Sequence, residues 1–159
     1  MERYSRMITI GKTLKRTAIE LNLKAKTCRA AVEEVASLLE GDDRIKDWDE
    51  FFEMLTKNEP TIVDDDALRL CLPHARTNAV RTMVIAAGYS RSGLSVPGRA
   101  YRIHYVIVIG VPIAMAADYL RTVGALIRIL RDTRVEQRLR TSETPEDFLS
   151  ILADREVKL

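Results

Sequence analysis

The chain has 159 residues, 47% hydrophobic and 30% charged, which is enough apolar material for one packed domain, 1–159, without disulfides or a structural metal. Its 25 basic and 23 acidic residues leave a formal net charge of +2. A balance that even argues against nucleic-acid binding and against attraction to a membrane surface. Cys28 and Cys71 lie far apart without metal-ligand spacing and read as free thiols in a reducing compartment.

Residues 1–20 are basic and weakly patterned, and suit either an N-terminal extension or an edge strand. They contain no apolar core of a secretory signal, and the most apolar stretch, 103–117, is too short to span a bilayer. The cytoplasm is the expected location. Thr27 is placed to cap a helix carrying Ala31, Val32, Val35, Ala36, Leu38 and Leu39, which Gly41 ends. Asp47 and Glu50 form a capping-box pattern for a second helix with Phe51, Phe52, Met54 and Leu55 on its apolar side, closed by Asn58 and Pro60. Asp64, Asp65 and Asp66 suit a turn. Leu68, Leu70 and Leu72 alternate with Arg69 and Cys71 in a short strand that ends at Pro73.

Residues 82–89 read as a buried strand and 93–98 as a turn region. The clearest strand is 101–109, with Tyr101, Ile103, Tyr105, Ile107 and Ile109 on one face. A long helix follows over about 114–131, its stripe formed by Leu120, Val123, Ile127 and Leu130. Two short helices close the chain. The last is capped by Thr144, with Pro145 first and Glu146 and Asp147 in its opening turn. Alternating helices and strands predict an α/β fold with a mixed, partly parallel central sheet flanked by helices.

The segment carrying chemistry is Leu70-Cys71-Leu72-Pro73-His74-Ala75-Arg76-Thr77-Asn78-Ala79-Val80. Proline stops the ladder, so His74 is expected where the chain leaves the sheet, and strand ends are where α/β folds bind ligands. Histidine, with an ordinary pKa of ~6.5, is largely a neutral nucleophile at cytoplasmic pH. Phosphoryl transfer to such a ring needs alignment and donors around the phosphoryl oxygens, and Arg76 is placed to be one. On spacing alone, however, a single loop histidine reads as a polar surface residue.

The segment Pro73-His74-Ala75-Arg76-Thr77-Asn78-Ala79-Val80 resembles the active-site segment of enzyme IIA domains of the sugar phosphotransferase system, in the fructose, mannitol and nitrogen-regulatory group. The resemblance runs from about Thr27 to Leu152. It takes in the Ala- and Glu-containing first helix, the Ser92-Gly93-Leu94 turn, the Arg102-Ile103-His104-Tyr105-Val106 strand and the C-terminal helices in order. It implies that His74 accepts a phosphoryl group from the histidine phosphocarrier protein. It also implies transfer to a transporter B domain in sugar uptake, or use as a signal toward a regulatory target in nitrogen or carbon control. No cofactor, metal, nucleic acid or membrane insertion is implied.

The chain departs from the family pattern at three places. Tyr119 stands where the family's second histidine opens the long helix. The segment from Asp66 to Pro73 contains no glycine where the family is glycine-rich. Asn58 aligns with an upstream arginine of some members. Lost glycines and nearby Asp64, Asp65 and Asp66 would disfavour a phosphoryl dianion. A non-catalytic interaction module that keeps the fold is therefore the alternative to transfer. Nucleic-acid association through Arg121, Arg128, Arg131, Arg134, Arg138 and Arg140 is a weaker one, because no aromatic residues interleave them. His104 reads as structural, Cys71 as a buried thiol and Trp48 as a packing anchor.

Overall fold

Six strands form one mixed sheet in the computed structural model, which describes residues 9–65 and 67–159. In chain order they are β1 (Leu14–Glu20), β2 (Ile62–Asp65), β3 (Leu68–Cys71), β4 (His74–Arg76), β5 (Val84–Ser95) and β6 (Arg102–Val111). Their spatial order is β1-β5-β6-β3-β2, with β4 also paired to β6. β1 runs parallel to β5, and β3 and β4 run parallel to β6, whereas β5–β6 and β2–β3 are antiparallel. The helices are α1 (Ile10–Thr13), α2 (Cys28–Ala36), α3 (Trp48–Thr56), α4 (Ala116–Arg131), α5 (Thr133–Arg140) and α6 (Pro145–Val157).

Local chemistry sets most helix starts. Thr27 Oγ1 accepts the Ala30 N–H at 3.1 Å, Asp47 Oδ1 accepts that of Glu50 at 3.1 Å, and Thr144 Oγ1 accepts that of Asp147 at 3.1 Å. Each satisfies one amide that the first turn leaves without a partner. Gly41, at φ +86°, turns the chain after the 3-10 turn that follows α2.

Val84 through Ser90 are buried without interruption, because helices cover both faces of the central strands. α2 and α3 lie on one face. Gly110 of β6 permits the approach of α3, since a Cβ there would run into the Phe51 ring. α4 and α5 cover the other face, where the Tyr105 hydroxyl donates to Glu136 of α5 at 2.7 Å. α6 packs on α4, α5 and β1.

Several elements differ from the sequence expectations. Residues 14–20 take one of the two expected forms, an edge strand beside β5, while residues 1–8 lie outside the described part. Asp64 and Asp65 belong to β2 rather than to a turn, because their backbone pairs with Arg69 and Leu68; Asp66 is outside the described residues. β5 continues past Tyr89 to Ser95 through a bulge. In α4 the buried residues are Thr122, Leu126, Ile129 and Leu130, and Leu120 is 67% exposed.

β3 ends at Cys71, ahead of Pro73, but His74 has not left the sheet, because pairing with β6 resumes there in β4. Leu70 and Cys71 pair with Tyr105 and Val106, and His74 with Ile109, so β3 and β4 keep one register along β6. Proline removes only a donor, and its carbonyl still accepts the Ile109 N–H at 3.1 Å.

Candidate functional site

β4 is the continuation of β3 beyond the reach of β2. The last contact on that side is the Leu72 N–H donating to Thr61 O at 2.8 Å. His74 and Arg76 share one face of β4 and are exposed, while Ala75 and Thr77 are buried on the other. Thr77 closes the strand: its N–H donates to Val111 O at 2.8 Å, and its hydroxyl accepts the Ala79 N–H at 3.0 Å. His74 is thus an exposed side chain on a rigid backbone.

The ring is oriented by its own strand. His74 Nδ1 lies 3.3 Å from Leu72 O. A carbonyl only accepts, so this contact places the proton on Nδ1 and the lone pair on Nε2. Tyr119, half-buried on the first turn of α4, packs its ring against the imidazole with centroids 5.2 Å apart and planes tilted by 37°. Burial pushes the Tyr119 phenol above its ordinary pKa, so it is neutral near pH 7.

The entry to α4 is tied to β4. Arg76 Nη2 donates to Ile113 O at 3.3 Å, and Asn78 Oδ1 accepts the Ile113 N–H at 3.2 Å. These bonds hold the turn that leads to Tyr119 against the strand that carries His74. Ile113 and Leu120 flank this region with exposures of 49% and 67%. Sequence reasoning missed the Leu72 and Ile113 carbonyls, because a backbone acceptor leaves no mark in residue identity.

Asp64 and Asp65 do not adjoin His74. Asp65 pairs with Leu68 at the start of β3, about level with Ile103, whereas His74 pairs with Ile109. Six residues of strand put them roughly 20 Å apart. Asp64 is engaged by Arg69, Arg99 and the Tyr101 hydroxyl, and Asp65 by Arg131. Of the C-terminal arginines, Arg121 pairs with Asp118 and Arg140 with Glu136. Cys71 is buried, and its contact with Cys28 together with burial raises its thiol pKa far above the ordinary value. Trp48 packs on Phe51 and Phe52 at 6.0 and 5.5 Å between ring centres. His104 donates from Nδ1 to Ser90 O at 2.7 Å. Among the described residues no group of three His, Cys, Asp or Glu side chains is placed to hold a metal, and no helix is long and apolar enough to cross a membrane.

Comparison with known proteins gives this geometry a context. The family described as phosphoenolpyruvate-dependent sugar phosphotransferase system, EIIA 2, matches residues 12–155. The PTS system fructose-specific EIIA component of Haloferax volcanii is 25% identical over 139 residues, covering 86% of this chain and 89% of that protein. Among solved structures, nitrogen regulatory protein IIA-Ntr from Neisseria meningitidis superimposes with a TM-score of 0.71 at 20% identity, over 90% of this chain and 98% of that one. IIA mannitol from Escherichia coli gives 0.70 at 19% identity, over 88% and 99%. The enzyme IIA mannitol–phosphorylated enzyme IIB mannitol complex from Escherichia coli gives 0.71 at 18% identity, over 89% and 99%. These likenesses share the mixed sheet flanked by helices, and the family match spans all six strands. The chain belongs to the EIIA 2 family of the phosphoenolpyruvate-dependent sugar phosphotransferase system.

Proposed function

We propose that the chain accepts a phosphoryl group on Nε2 of His74 from a histidine phosphocarrier protein in the cytoplasm. It then passes the group to a transporter B domain in sugar uptake, or carries it as a regulatory signal. The observation that carries this reading is the exposed His74 ring held through Nδ1 by the Leu72 carbonyl. That contact leaves Nε2 as the nucleophile facing outward.

In the transfer, the Nε2 lone pair forms the new N–P bond as the bond from phosphorus to the donor histidine breaks. The donor ring recovers its own lone pair. His74 keeps its Nδ1 proton, so its ring gains positive character and its bond to Leu72 O becomes charge-assisted. No general base is required. The phosphoryl oxygens then meet the Arg76 guanidinium from the same strand face and Tyr119 from α4. Exposed Ile113 and Leu120 supply apolar surface against which a partner protein can exclude water. The IIA–IIB complex among the similar structures supports a B domain as one such partner.

The test is incubation with phosphorylated carrier protein, with intact mass read at alkaline pH, where phosphohistidine survives. One added phosphoryl group in the wild type, absent in His74→Ala, is the expected result. An unmodified wild type with a carrier known to be charged would refute transfer and leave a fold-retaining interaction module.

A further inference from the structure

We infer that a cavity at the opposite end of β6 from His74 binds a small organic phosphomonoester. The cavity has a volume of about 520 Å³ and lies among the starts of β3 and β6, the bulge of β5, and α5. That size falls in the range of small-molecule sites.

Its charge is unbalanced. Four guanidinium groups and two carboxylates line it among the described residues, an excess of two positive charges. Both carboxylates are already occupied. Asp65 pairs with Arg131, and Glu136 accepts the Tyr105 hydroxyl at 2.7 Å and lies 3.7 Å from Arg140 Nε. Arg91 and Arg102, in contrast, have only neutral oxygen partners among the described residues. Arg91 Nε donates to Asn22 Oδ1 at 2.7 Å, and Arg102 Nη1 to Gly93 O at 3.4 Å. Two guanidinium groups without carboxylates at one cavity await an anion.

The site is built rather than incidental. Between Tyr89, which pairs with Tyr105, and Leu94, which pairs with Ile103, four residues of β5 stand against the single residue His104. This bulge depends on Gly93 at φ +87° and on Ser90, which is fully buried. Ser90 Oγ accepts the Gly93 N–H at 3.0 Å, and Ser90 O accepts the His104 Nδ1–H at 2.7 Å. One buried serine thereby fixes both the turn that carries Arg91 and the ring of His104. Since Nδ1 donates to Ser90 O, Nε2 of His104 carries the lone pair and is left to accept from a hydroxyl on the ligand's carbon skeleton. Bulges of this kind re-aim side chains toward functional sites.

The donor arrangement selects the ligand class. A flat monocarboxylate is satisfied by one bidentate guanidinium. A phosphomonoester carries close to two negative charges near neutral pH and three acceptor oxygens pointing in different directions. Donors from the β5 bulge and from β6 match that shape. The Tyr89 ring and Leu130 offer apolar surface for a carbon skeleton.

The experiment is an amide-resolved NMR titration of the full chain with glycerol 3-phosphate, alongside succinate and inorganic phosphate at matched ionic strength. Saturable shifts are expected at residues 90–93 and 102–105, with the ester bound about tenfold more tightly than either other anion. Arg91→Gln and Arg102→Gln should each weaken it about tenfold while leaving the remaining spectrum folded, because each removes one charge-assisted contact. His74→Ala should bind like wild type, since five strand residues, roughly 17 Å, separate the two sites. Absence of saturation, equal affinity for succinate or inorganic phosphate, or unchanged affinity in Arg102→Gln would overturn the inference.

Discussion

Tyr119→His isolates what the neighbour of His74 contributes to holding a phosphoryl group. The two rings are in contact, with centroids 5.2 Å apart, so a side chain from position 119 reaches whatever is bonded to His74 Nε2. Tyr119 is neutral near pH 7, the more so because burial raises its phenol pKa, and donates at most one uncharged O–H bond. A protonated histidine in its place donates a charge-assisted bond to a dianion. Neutral bonds contribute ~1 kcal/mol and charge-assisted ones ~1.5–3 kcal/mol, so the gain is about 1 kcal/mol, or roughly fivefold in the phosphorylated fraction at equilibrium with the carrier. Tyr119→Phe should lose a similar factor. Intact mass at alkaline pH measures the fraction, and a melting curve for each variant separates this effect from lost packing. The benefit of histidine should fade as pH rises above ~7 and the ring loses its charge. A Tyr119→His fraction equal to wild type, at an unchanged melting temperature and across pH, would show that residue 119 packs against the imidazole without touching the phosphoryl group.

Other outcomes follow from the packing. Arg44 binds Asp42 through Nε and Nη2 at 3.0 and 2.8 Å, which pulls the carboxyl down from 3.8 to about 2. Its folded pKa lies below its unfolded one, so the stabilisation is complete above about pH 4 and disappears as pH falls toward 2; Asp42→Asn should cost about 2 kcal/mol at pH 7 and flatten that acid limb in urea titrations. Gly93→Ala places a Cβ 2.8 Å from Arg102 Cβ in a left-handed conformation, and should cost about 2 kcal/mol in urea unfolding without removing phosphorylation of His74. Thr144→Ala removes the cap of α6 and should cost about 1 kcal/mol by the same measurement. Cys71, buried and with its thiol pKa raised, should resist alkylation in the native chain and react on unfolding, as followed by mass.

Features written in neighbouring residues were the legible ones. Thr27, Asp47 and Thr144 cap helices through bonds spanning three residues, so each helix start could be read from a short window. β6 was legible because its opening alternation runs on into an unbroken β-branched stretch, Val106 to Ile109, that favours a buried strand. The buried arc of α4 was not. Apolar residues occur on several sides of this helix, and periodicity alone could not choose Thr122, Leu126 and Ile129 over Leu120 and Val123. Thr122 tolerates burial because its hydroxyl donates to Asp118 O at 2.9 Å, a bond that hydropathy does not register. The bulge in β5 was equally hidden, because pairing with β6 across the turn defines it. His74 and Tyr119 stand 45 residues apart in the chain. Their juxtaposition comes from Arg76 and Asn78 holding Ile113, which no local pattern reveals.

The same long-range geometry changes the weight of each departure from the family pattern. Acidic residues close to His74 would oppose a phosphoryl dianion, but Asp64 and Asp65 sit near the other end of β6 and are engaged by arginines. A glycine-free approach to the histidine would matter if backbone N–H groups there were free to cradle a phosphoryl group, but the Leu72 N–H already donates to Thr61 O, or if the backbone needed a left-handed conformation. Among the described residues, positive φ values occur only at Gly41, Gly93 and Gly98. Leu68 through Arg76 instead follow β6 in one extended register, which ordinary residues adopt without strain. Neither departure therefore acts on His74 in the way that the sequence suggested. The Tyr119 substitution does, since its ring lies against the imidazole. In the proposed transfer, a neutral donor at this position is expected to affect the stability of phosphohistidine and not the availability of the Nε2 lone pair, which the Leu72 carbonyl secures from the other side of the ring.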